Sequence, residues 1–281
     1  MFQPVVPLSG VAGWQFLGRT EAAQRQTFGN NAQLTRETEY FLANIADIGS
    51  AKELVSDRRL LAVALGAFGL DEELYKTAFL EKILAEGTDD PESLANRFVD
   101  PRYQAFSKAF GFGNIGGPNV MRAGFGQEIV GQYKERQFEI AVGNADQSMR
   151  LAMTFRREIA DYAAAASDGS SGTQWYQILG NEPLRAVVQA AFGLPNSFAG
   201  LDVDRQREML EDKTSQMFGT SSVAAFRDPE AVEQMISRYL VRTQAEAGPS
   251  AGAPGMAALT LLQSANSGSV GLTNLILSAS G

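Results

Sequence analysis

The sequence contains neither cysteine nor histidine. Without cysteine the chain has no disulfide framework, no thiolate nucleophile and no cysteine-based metal site. Without histidine, Ser-His-Asp and Cys-His catalysis are excluded, together with zinc and iron sites that histidine would ligate. Any chemistry would have to use carboxylates, Lys, Arg, Tyr or a bound cofactor. We therefore predict a protein that is not an enzyme and that needs no cofactor and no metal.

Basic charge is also scarce. The chain has 24 Lys and Arg residues against 32 Asp and Glu residues, which gives a formal net charge of −8. The basic residues form no run of five or six that would make a cationic arm. Nucleic acids and anionic membrane surfaces both require a basic footprint on the protein. Neither is therefore an expected partner.

Long apolar runs are missing as well. No stretch approaches the roughly 18 consecutive apolar residues of a membrane-spanning helix. The first Lys or Arg is Arg19, so the N-terminus lacks the basic region of a Sec signal peptide. We expect a cytoplasmic chain, or one exported without a Sec signal.

The pattern that is present is helical. With 281 residues and 44% hydrophobic residues, the chain can form one large or two modest domains with a real core. Apolar residues recur at spacings of three and four between Asp, Asn, Pro and Gly signals for helix ends. Alternating β-branched runs joined by hairpin turns are not found. The predicted fold class is all-α.

One segment of the chain occurs twice. Residues 57–70, DRRLLAVALGAFGL, return 124 positions later as residues 181–194, NEPLRAVVQAAFGL. The identical pairs are Leu60/Leu184, Ala62/Ala186, Val63/Val187, Ala67/Ala191, Phe68/Phe192, Gly69/Gly193 and Leu70/Leu194. Each segment is predicted to be a helix that starts after an Asp or Asn cap and ends at Gly. The repeat predicts two related helical lobes.

A Phe-Gly pair closes several predicted helices. The pairs are Phe28-Gly29, Phe68-Gly69, Phe110-Gly111, Phe192-Gly193 and Phe218-Gly219. Glycine adopts the left-handed conformation after the last helical turn without a Cβ clash, and the preceding aromatic ring packs against a neighbouring helix. We favour this interpretation over ligand recognition by the Phe-Gly pairs.

The predicted organisation has five parts. Residues 1–20 form an N-terminal segment, 21–120 the first lobe, and 168–247 the second lobe. Residues 121–167 are predicted to join the lobes as one long helix, or as two helices hinged near residues 143–144. Residues 248–281 begin with the linker-like sequence GPSAGAPG and continue as a Gly/Ser-rich apolar tail.

Two local motifs suggest chemistry but fit it poorly. Residues 111–116 match G-x-G-x-x-G, yet a helix precedes them and Gly117-Pro118 follows, so a structural turn is favoured over phosphate binding. Asp89, Asp90 and Glu92 lack the alternating spacing of a calcium loop. A helix cap is the favoured interpretation of these carboxylates.

The candidate binding residues lie at the two apolar ends and in the first repeat. The apolar side chains that either bind a partner or pack on their own domain are Trp14, Phe16, Leu17, Leu272, Leu275, Ile276 and Leu277. Arg58 and Arg59 are the candidates for binding an anion or an acidic partner. The alternative for these two arginines is local ion pairing in the first turn of their helix.

The string DRRLL, AFGLDEE, FLEKILAEGT and SLANRF within residues 50–113 resembles a bacterial family, the domain of unknown function numbered 1217. PLSGVAGWQFLGRT, ILGNEPLRAVVQAAFGLP and TNLILS also match. Members of that family accompany flagellar gene clusters and have no assigned activity or catalytic residue. The resemblance implies a non-enzymatic, motility-related structural or interaction protein whose apolar ends dock on a flagellar component.

The family resemblance implies that any export would be to the flagellum. The alternative function is a cytoplasmic helical binding module for a small acidic ligand or peptide. The oligomeric state is left open.

Overall fold

The computed structural model describes residues 2–166 and 172–246 of the chain. These residues form α-helices joined by turns and short 3-10 helices, and none of them lies in a β-strand, so the described fold is all-α as predicted. The helices are α1 (Gly10–Gly29), α2 (Ala32–Asn44), α3 (Ala51–Ser56), α4 (Arg58–Phe68), α5 (Thr77–Glu86), α6 (Leu94–Arg97), α7 (Pro101–Phe110), α8 (Phe125–Gly143), α9 (Gln147–Ala165), α10 (Gly172–Gly180), α11 (Glu182–Phe192), α12 (Val203–Phe218) and α13 (Pro229–Glu246).

Short polar side chains start the helices where the sequence predicts them. Asp57 accepts hydrogen bonds from the backbone N–H groups of Arg59 and Leu60 at the start of α4, and Asn181 accepts one from Leu184 at the start of α11. Asp100, Asp202 and Asp228 do the same for α7, α12 and α13. These bonds satisfy N–H groups that have no partner inside the helix.

Glycine ends four of the five helices that carry a Phe-Gly pair. The φ angles are 69° at Gly69, 67° at Gly111, 69° at Gly193 and 75° at Gly219. Gly29 is different, because it remains the last residue of α1 and Asn30 follows it with φ of −85°. The prediction of a left-handed glycine cap is therefore wrong at Gly29.

Two acidic segments do not start a long helix directly. Helix α5 begins at Thr77, and residues Asp71–Glu73 before it form a separate 3-10 turn. The helix predicted to follow Asp90-Pro91 is reduced to α6, because Asp90 Oδ1 accepts from the N–H of Glu92 and the Asp90 carbonyl accepts from Asn96. Such side-chain bonds to the backbone favour a turn over a helix.

The middle of the chain is a pair of helices and not one continuous helix. Residues 144–146 separate α8 from α9, and Asp146 caps α9 by accepting from the N–H groups of Ser148 and Met149. Helix α8 packs against α2 and α4 of the first half, whereas α9 packs against α11 and α13 of the second. The α8–α9 pair thus joins the two halves.

A single hydrophobic cluster extends through the described residues. It runs from Leu17 in α1 to Leu240 in α13, and it includes residues of both predicted lobes and of α8 and α9. Phe41, Phe106 and Trp175 are among its largest fully buried side chains. The division into two lobes stays a prediction.

Two of the predicted N-terminal docking residues, Trp14 and Leu17, belong to this core, which corrects the expectation that they bind a partner. Trp14 and Leu17 are 7% and 0% exposed, and Phe16 is half-buried. The Trp14 indole N–H donates to Glu233 Oε2 at 2.8 Å, which ties α1 to α13. Neither Trp14 nor Leu17 is therefore presented to a partner. The other predicted docking residues, Leu272, Leu275, Ile276 and Leu277, lie outside the described residues.

Candidate functional site

A polar cleft of 590 Å³ lies where the end of α4, α7, α8, α9 and the start of α11 meet. Charges of both signs line it. The charged residues in its lining include Arg102, Lys108, Arg136, Arg157, Glu158 and Asp161. Because the cleft lies between elements of both halves, its side chains are the best candidates for a site in the described part of the chain.

Glu158 is the centre of the charged cluster in this cleft. Its Oε1 accepts from Arg136 Nη2 at 2.9 Å and from Arg157 Nη1 at 3.1 Å, and its Oε2 accepts from Asn181 Nδ2 at 2.8 Å. The side chain is 12% exposed. Burial by itself raises the pKa of Glu158, but the charges of Arg136 and Arg157 outweigh burial and leave the pKa below its usual value.

A second carboxylate fixes Arg157 from the other side. Arg157 donates from Nε and Nη2 to Glu139 at 2.8 and 2.9 Å, and Thr154 Oγ1 donates to Glu139 at 3.0 Å. Glu139 is 3% exposed. Every charge in this part of the cluster thus has a partner, which is the condition for a buried ion pair to persist.

The cluster connects the two repeated segments directly. Arg136 Nε donates to the carbonyl of Ala67 at the end of α4, at 2.8 Å. Asn181 caps α11 through its Oδ1 and donates to Glu158 through its Nδ2. A continuous path Ala67–Arg136–Glu158–Asn181 therefore runs from the end of α4 to the start of α11.

The second repeated segment has the same arginine contact without the carboxylate. Arg238 on α13 donates from Nε to the carbonyl of Ala191 at 3.1 Å, and Ala191 is the residue that corresponds to Ala67. Among the described residues, no carboxylate lies within ion-pair distance of Arg238, whereas Arg136 has Glu158. The two segments thus share a capping contact and differ in charge around it.

Arg58 and Arg59 lie elsewhere, beside a shallow depression of 600 Å³ that also includes Lys52, Glu53 and Asp57. The Arg58 guanidinium lies 4.8 Å from the centre of the Tyr75 ring, and that of Arg59 lies 3.5 Å from the centre of the Tyr40 ring. Both arginines are exposed. Anion binding by them stays a prediction, and the structure does not bring them into the polar cleft.

Sequence reasoning missed Arg136, Glu139 and Asn181 as members of a shared cluster. The signal was weak: Arg157 and Glu158 interrupt the apolar pattern of α9, but their partners outside this helix lie 18 to 23 residues away in sequence. Charged residues on a helix are usually solvated. Their pairing depends on how α8, α9 and α11 pack.

Two searches of the described residues give no site. No group of three or more Asp or Glu side chains in residues 2–166 and 172–246 is arranged to hold a metal ion. Within the same ranges, no helix combines the length and the apolar character that crossing a membrane requires.

Comparison with known proteins defines the family. The crystal structure of protein AGR_C_984 from Agrobacterium tumefaciens is similar, with a TM-score of 0.69 and 23% sequence identity, covering 86% of this chain and 97% of that chain. The likeness shows a shared fold. A search of curated proteins gives no match. The profile of DUF1217, described as a protein of unknown function, matches residues 67–232.

Neither the family description nor that of the similar structure names a reaction. The match covers more than half of the chain and includes α7, α8, α9 and α11, which form the polar cleft. The chain therefore belongs to the DUF1217 family.

Proposed function

We propose that this protein is a non-enzymatic helical interaction protein of the bacterial flagellum, and that its C-terminal apolar residues dock on a flagellar component. The observation that carries the proposal is the contrast between the helical core and the segment after it. Residues 247–281 contain no charged residue and include Leu272, Leu275, Ile276 and Leu277. An uncharged segment with several large apolar side chains normally binds a partner or folds back on its own domain.

The way in which α13 ends supports binding to a partner. Tyr239 and Leu240 are the last buried residues of α13, and each of residues 241–246 is exposed or half-buried. The chain therefore leaves the core at the surface before the uncharged segment begins.

The charged cluster supports a structural role for the polar cleft. Glu139 and Glu158 already occupy the guanidinium groups of Arg136 and Arg157. A ligand would have to break these ion pairs before it used the arginines, and breaking a buried pair costs about 3–5 kcal/mol. We therefore assign the cluster to holding the two halves together.

Deletion of the gene tests the flagellar part of the proposal. In a strain without the protein, we expect fewer or shorter flagella and reduced swimming, and the plasmid-borne gene should restore both. Normal flagella and normal swimming in the deletion strain would contradict the proposed connection.

Truncation tests the docking part. Full-length protein and a variant that ends at residue 247 would be mixed separately with purified flagellar filaments and basal structures. We expect co-sedimentation of the full-length protein and loss of co-sedimentation for the truncated variant. Equal binding by both proteins would show that the C-terminal residues take no part in the interaction. Equal circular dichroism spectra in the helical region would show that the truncation leaves the core intact.

The contacts also support duplication of an ancestral helical unit. Helices α4 and α11 have related sequences, an Asp or Asn cap, a left-handed glycine at the end, and an arginine that donates to the equivalent alanine carbonyl. We infer that the two halves descend from one unit, in which α4 with α8 corresponds to α11 with α13. In a second structure from the family, we expect the helix pair that corresponds to α4 and α8 to superpose on the pair that corresponds to α11 and α13. Unrelated helix crossing angles in the two pairs would contradict the duplication.

A second candidate function is favoured by the depression that holds Lys52, Arg58 and Arg59. Three cations at one surface can attract a small acidic ligand, although Glu53 and Asp57 share the same lining. Thermal unfolding with phosphate or citrate tests this candidate. It predicts a rise in the unfolding temperature that disappears in Arg58→Gln/Arg59→Gln.

A further inference from the structure

Helices α8 and α13 can be aligned residue by residue through one shared contact. Arg136 on α8 donates from Nε to the carbonyl of Ala67, and Arg238 on α13 donates from Nε to the carbonyl of Ala191. Ala67 and Ala191 are equivalent in the repeated segments. Position 136 therefore corresponds to position 238, and each residue of α8 corresponds to the residue 102 positions later in α13.

The same register matches the buried sides of the two helices. The aligned pairs that are buried in both helices are Ile129/Ala231, Val130/Val232, Tyr133/Met235 and Phe138/Leu240. The neighbours correspond as well, because α8 packs on α4 and α2, whereas α13 packs on α11 and α9. The two helices thus bury equivalent sides against equivalent neighbours.

The helices differ on the side of α8 that α9 covers. Glu139 on α8 is 3% exposed, and it accepts hydrogen bonds from Thr154 and Arg157 of α9. The aligned residue on α13 is Val241, which is 56% exposed. Helix α9 follows α8 directly in the chain, whereas α13 is followed by residues 247–281, which lie outside the described residues.

The uncovered side of α13 carries no charge in its last turns. The residues that share this side at helical spacing are Ser237, Val241, Gln244 and Ala245. Helix α1 reaches it at Gly10, where an added Cβ would meet the Gln244 side chain, and leaves Val241 exposed. Glu139 suits a charged neighbour such as Arg157, and Val241 correspondingly suits an uncharged, apolar one.

We propose, on the basis of the duplication inferred above, that residues 256–266 of the same chain cover this side of α13 as α9 covers α8. Their sequence, MAALTLLQSAN, is uncharged, and its apolar residues recur at the spacing of an amphipathic helix. Val241 lies five residues before Glu246, the last residue of α13, which is about 8 Å along the helix axis. The nine residues 247–255 form a Gly/Pro/Ser-rich linker that reaches about 15–18 Å, so the segment can return to Val241.

Tethering favours this occupant over a separate molecule. A short flexible linker gives the attached segment an effective concentration in the millimolar range, which a partner protein or a second copy of the chain does not reach. The contact leaves residues 270–277 for the docking proposed above. It also requires no flagellar component, so either proposal can fail without the other.

Hydrogen exchange of the purified full-length protein tests the contact. In Leu261→Ser/Leu262→Ser, we expect the backbone amides of residues 240–246 to exchange about five- to ten-fold faster than in the wild type, because the last turns of α13 lose their cover. Leu275→Ser/Ile276→Ser is the matched control and should leave that exchange unchanged. The amides of α4 should exchange equally in all three proteins. Unchanged exchange in the first variant, or equal acceleration in both variants, would overturn the proposal.

A photoreactive amino acid at position 241 identifies what covers α13. p-Benzoylphenylalanine would replace Val241 in one variant and Ile115, which is 97% exposed, in a control. After irradiation of dilute full-length protein, mass spectrometry should find an adduct within one chain that joins position 241 to residues 256–266. Position 115 should give no such adduct. An adduct between two chains, an adduct to another part of the chain, or none above the control would each contradict the assignment.

Discussion

At the scale of single residues, Glu158 is the side chain on which the contact between the two halves depends. It accepts hydrogen bonds from Arg136 on α8, Arg157 on α9 and Asn181 at the cap of α11. Removing one member of a buried charged cluster leaves the remaining charges unpaired, and that loss exceeds the net worth of the original contact. The consequences should therefore be large and specific.

Glu158→Gln is expected to lower the free energy of unfolding by about 3 kcal/mol at neutral pH. The substitution keeps the size of the side chain but removes the charge that Arg136 and Arg157 face. Urea unfolding followed by circular dichroism measures the change. Glu208→Gln is the control, because Glu208 is 50% exposed and pairs at 2.9 Å with the exposed Arg205, and its effect should stay below about 1 kcal/mol.

The pH dependence of stability should reflect the ionisation of Glu158. The pKa of Glu158 is lower in the folded protein than its ordinary value of 4.5. Its contribution is therefore complete above pH 4.5 and is lost as the pH falls through the folded-state pKa. Protonated Glu and Gln resemble each other, so wild type and Glu158→Gln should converge in stability in acid. Unfolding curves that remain equally separated from neutral to acidic pH would contradict this.

At the scale of secondary-structure elements, α4 and α11 show how far a local pattern determines local structure. Both helices start after a polar cap, and both end at a glycine with φ of 69°. These features were predictable because capping depends on residues within one turn. The lengths of α5 and α6 were not, because residues 71–73 form a 3-10 turn before α5 and the Asp90 side chain accepts from the Glu92 N–H before α6.

Alanine substitutions at glycine should separate cap positions from ordinary helical positions. Gly193→Ala is expected to lower the free energy of unfolding by about 1–2 kcal/mol, because a side chain is strained at positive φ. Its Cβ would also lie 2.5 Å from the guanidinium of Arg242, but that side chain is exposed and can move away. Gly69→Ala should cost more. Its Cβ would lie 2.8 Å from Nη1 of Arg136, which is held by Ala67 and Glu158.

Gly131→Ala is the matched control for these two substitutions. Gly131 lies inside α8 and is exposed, and a Cβ there meets no other atom within 4 Å. Alanine should raise the free energy of unfolding by about 0.5–1 kcal/mol. Urea unfolding of the three variants gives the order, and a destabilised Gly131→Ala would show that more than backbone strain is being measured.

At the scale of the whole molecule, the two halves share one core. The hydrophobic cluster includes residues from α1 to α13, and the charged cluster crosses from α4 to α11. A repeat in the sequence suggests two units, but shared packing predicts one folding transition. The α8–α9 pair produces this shared packing, because α8 packs with the first half and α9 with the second.

Unfolding should therefore be cooperative across both halves. The chain has two tryptophans, Trp14 in α1 and Trp175 in α10, and both are buried. Trp14→Phe leaves Trp175 in α10 as the fluorescent probe, and Trp175→Phe leaves Trp14, which contacts α13, whereas circular dichroism reports on the helices of both halves. We expect the fluorescence transition of each variant to coincide with its own circular dichroism transition in urea. Two separated transitions within one variant would indicate lobes that unfold independently.

The sequence by itself determined the all-α class, the positions of most helix caps and the absence of cysteine and histidine chemistry, because each depends on composition or on neighbours within a turn. It also identified the family. Tertiary structure decided where Trp14 and Leu17 lie, which the apolar pattern alone left open between a partner and the core. It also decided that Arg136, Glu158 and Asn181 form one cluster. These arrangements join residues far apart in sequence, so they follow from helix packing and not from any local pattern.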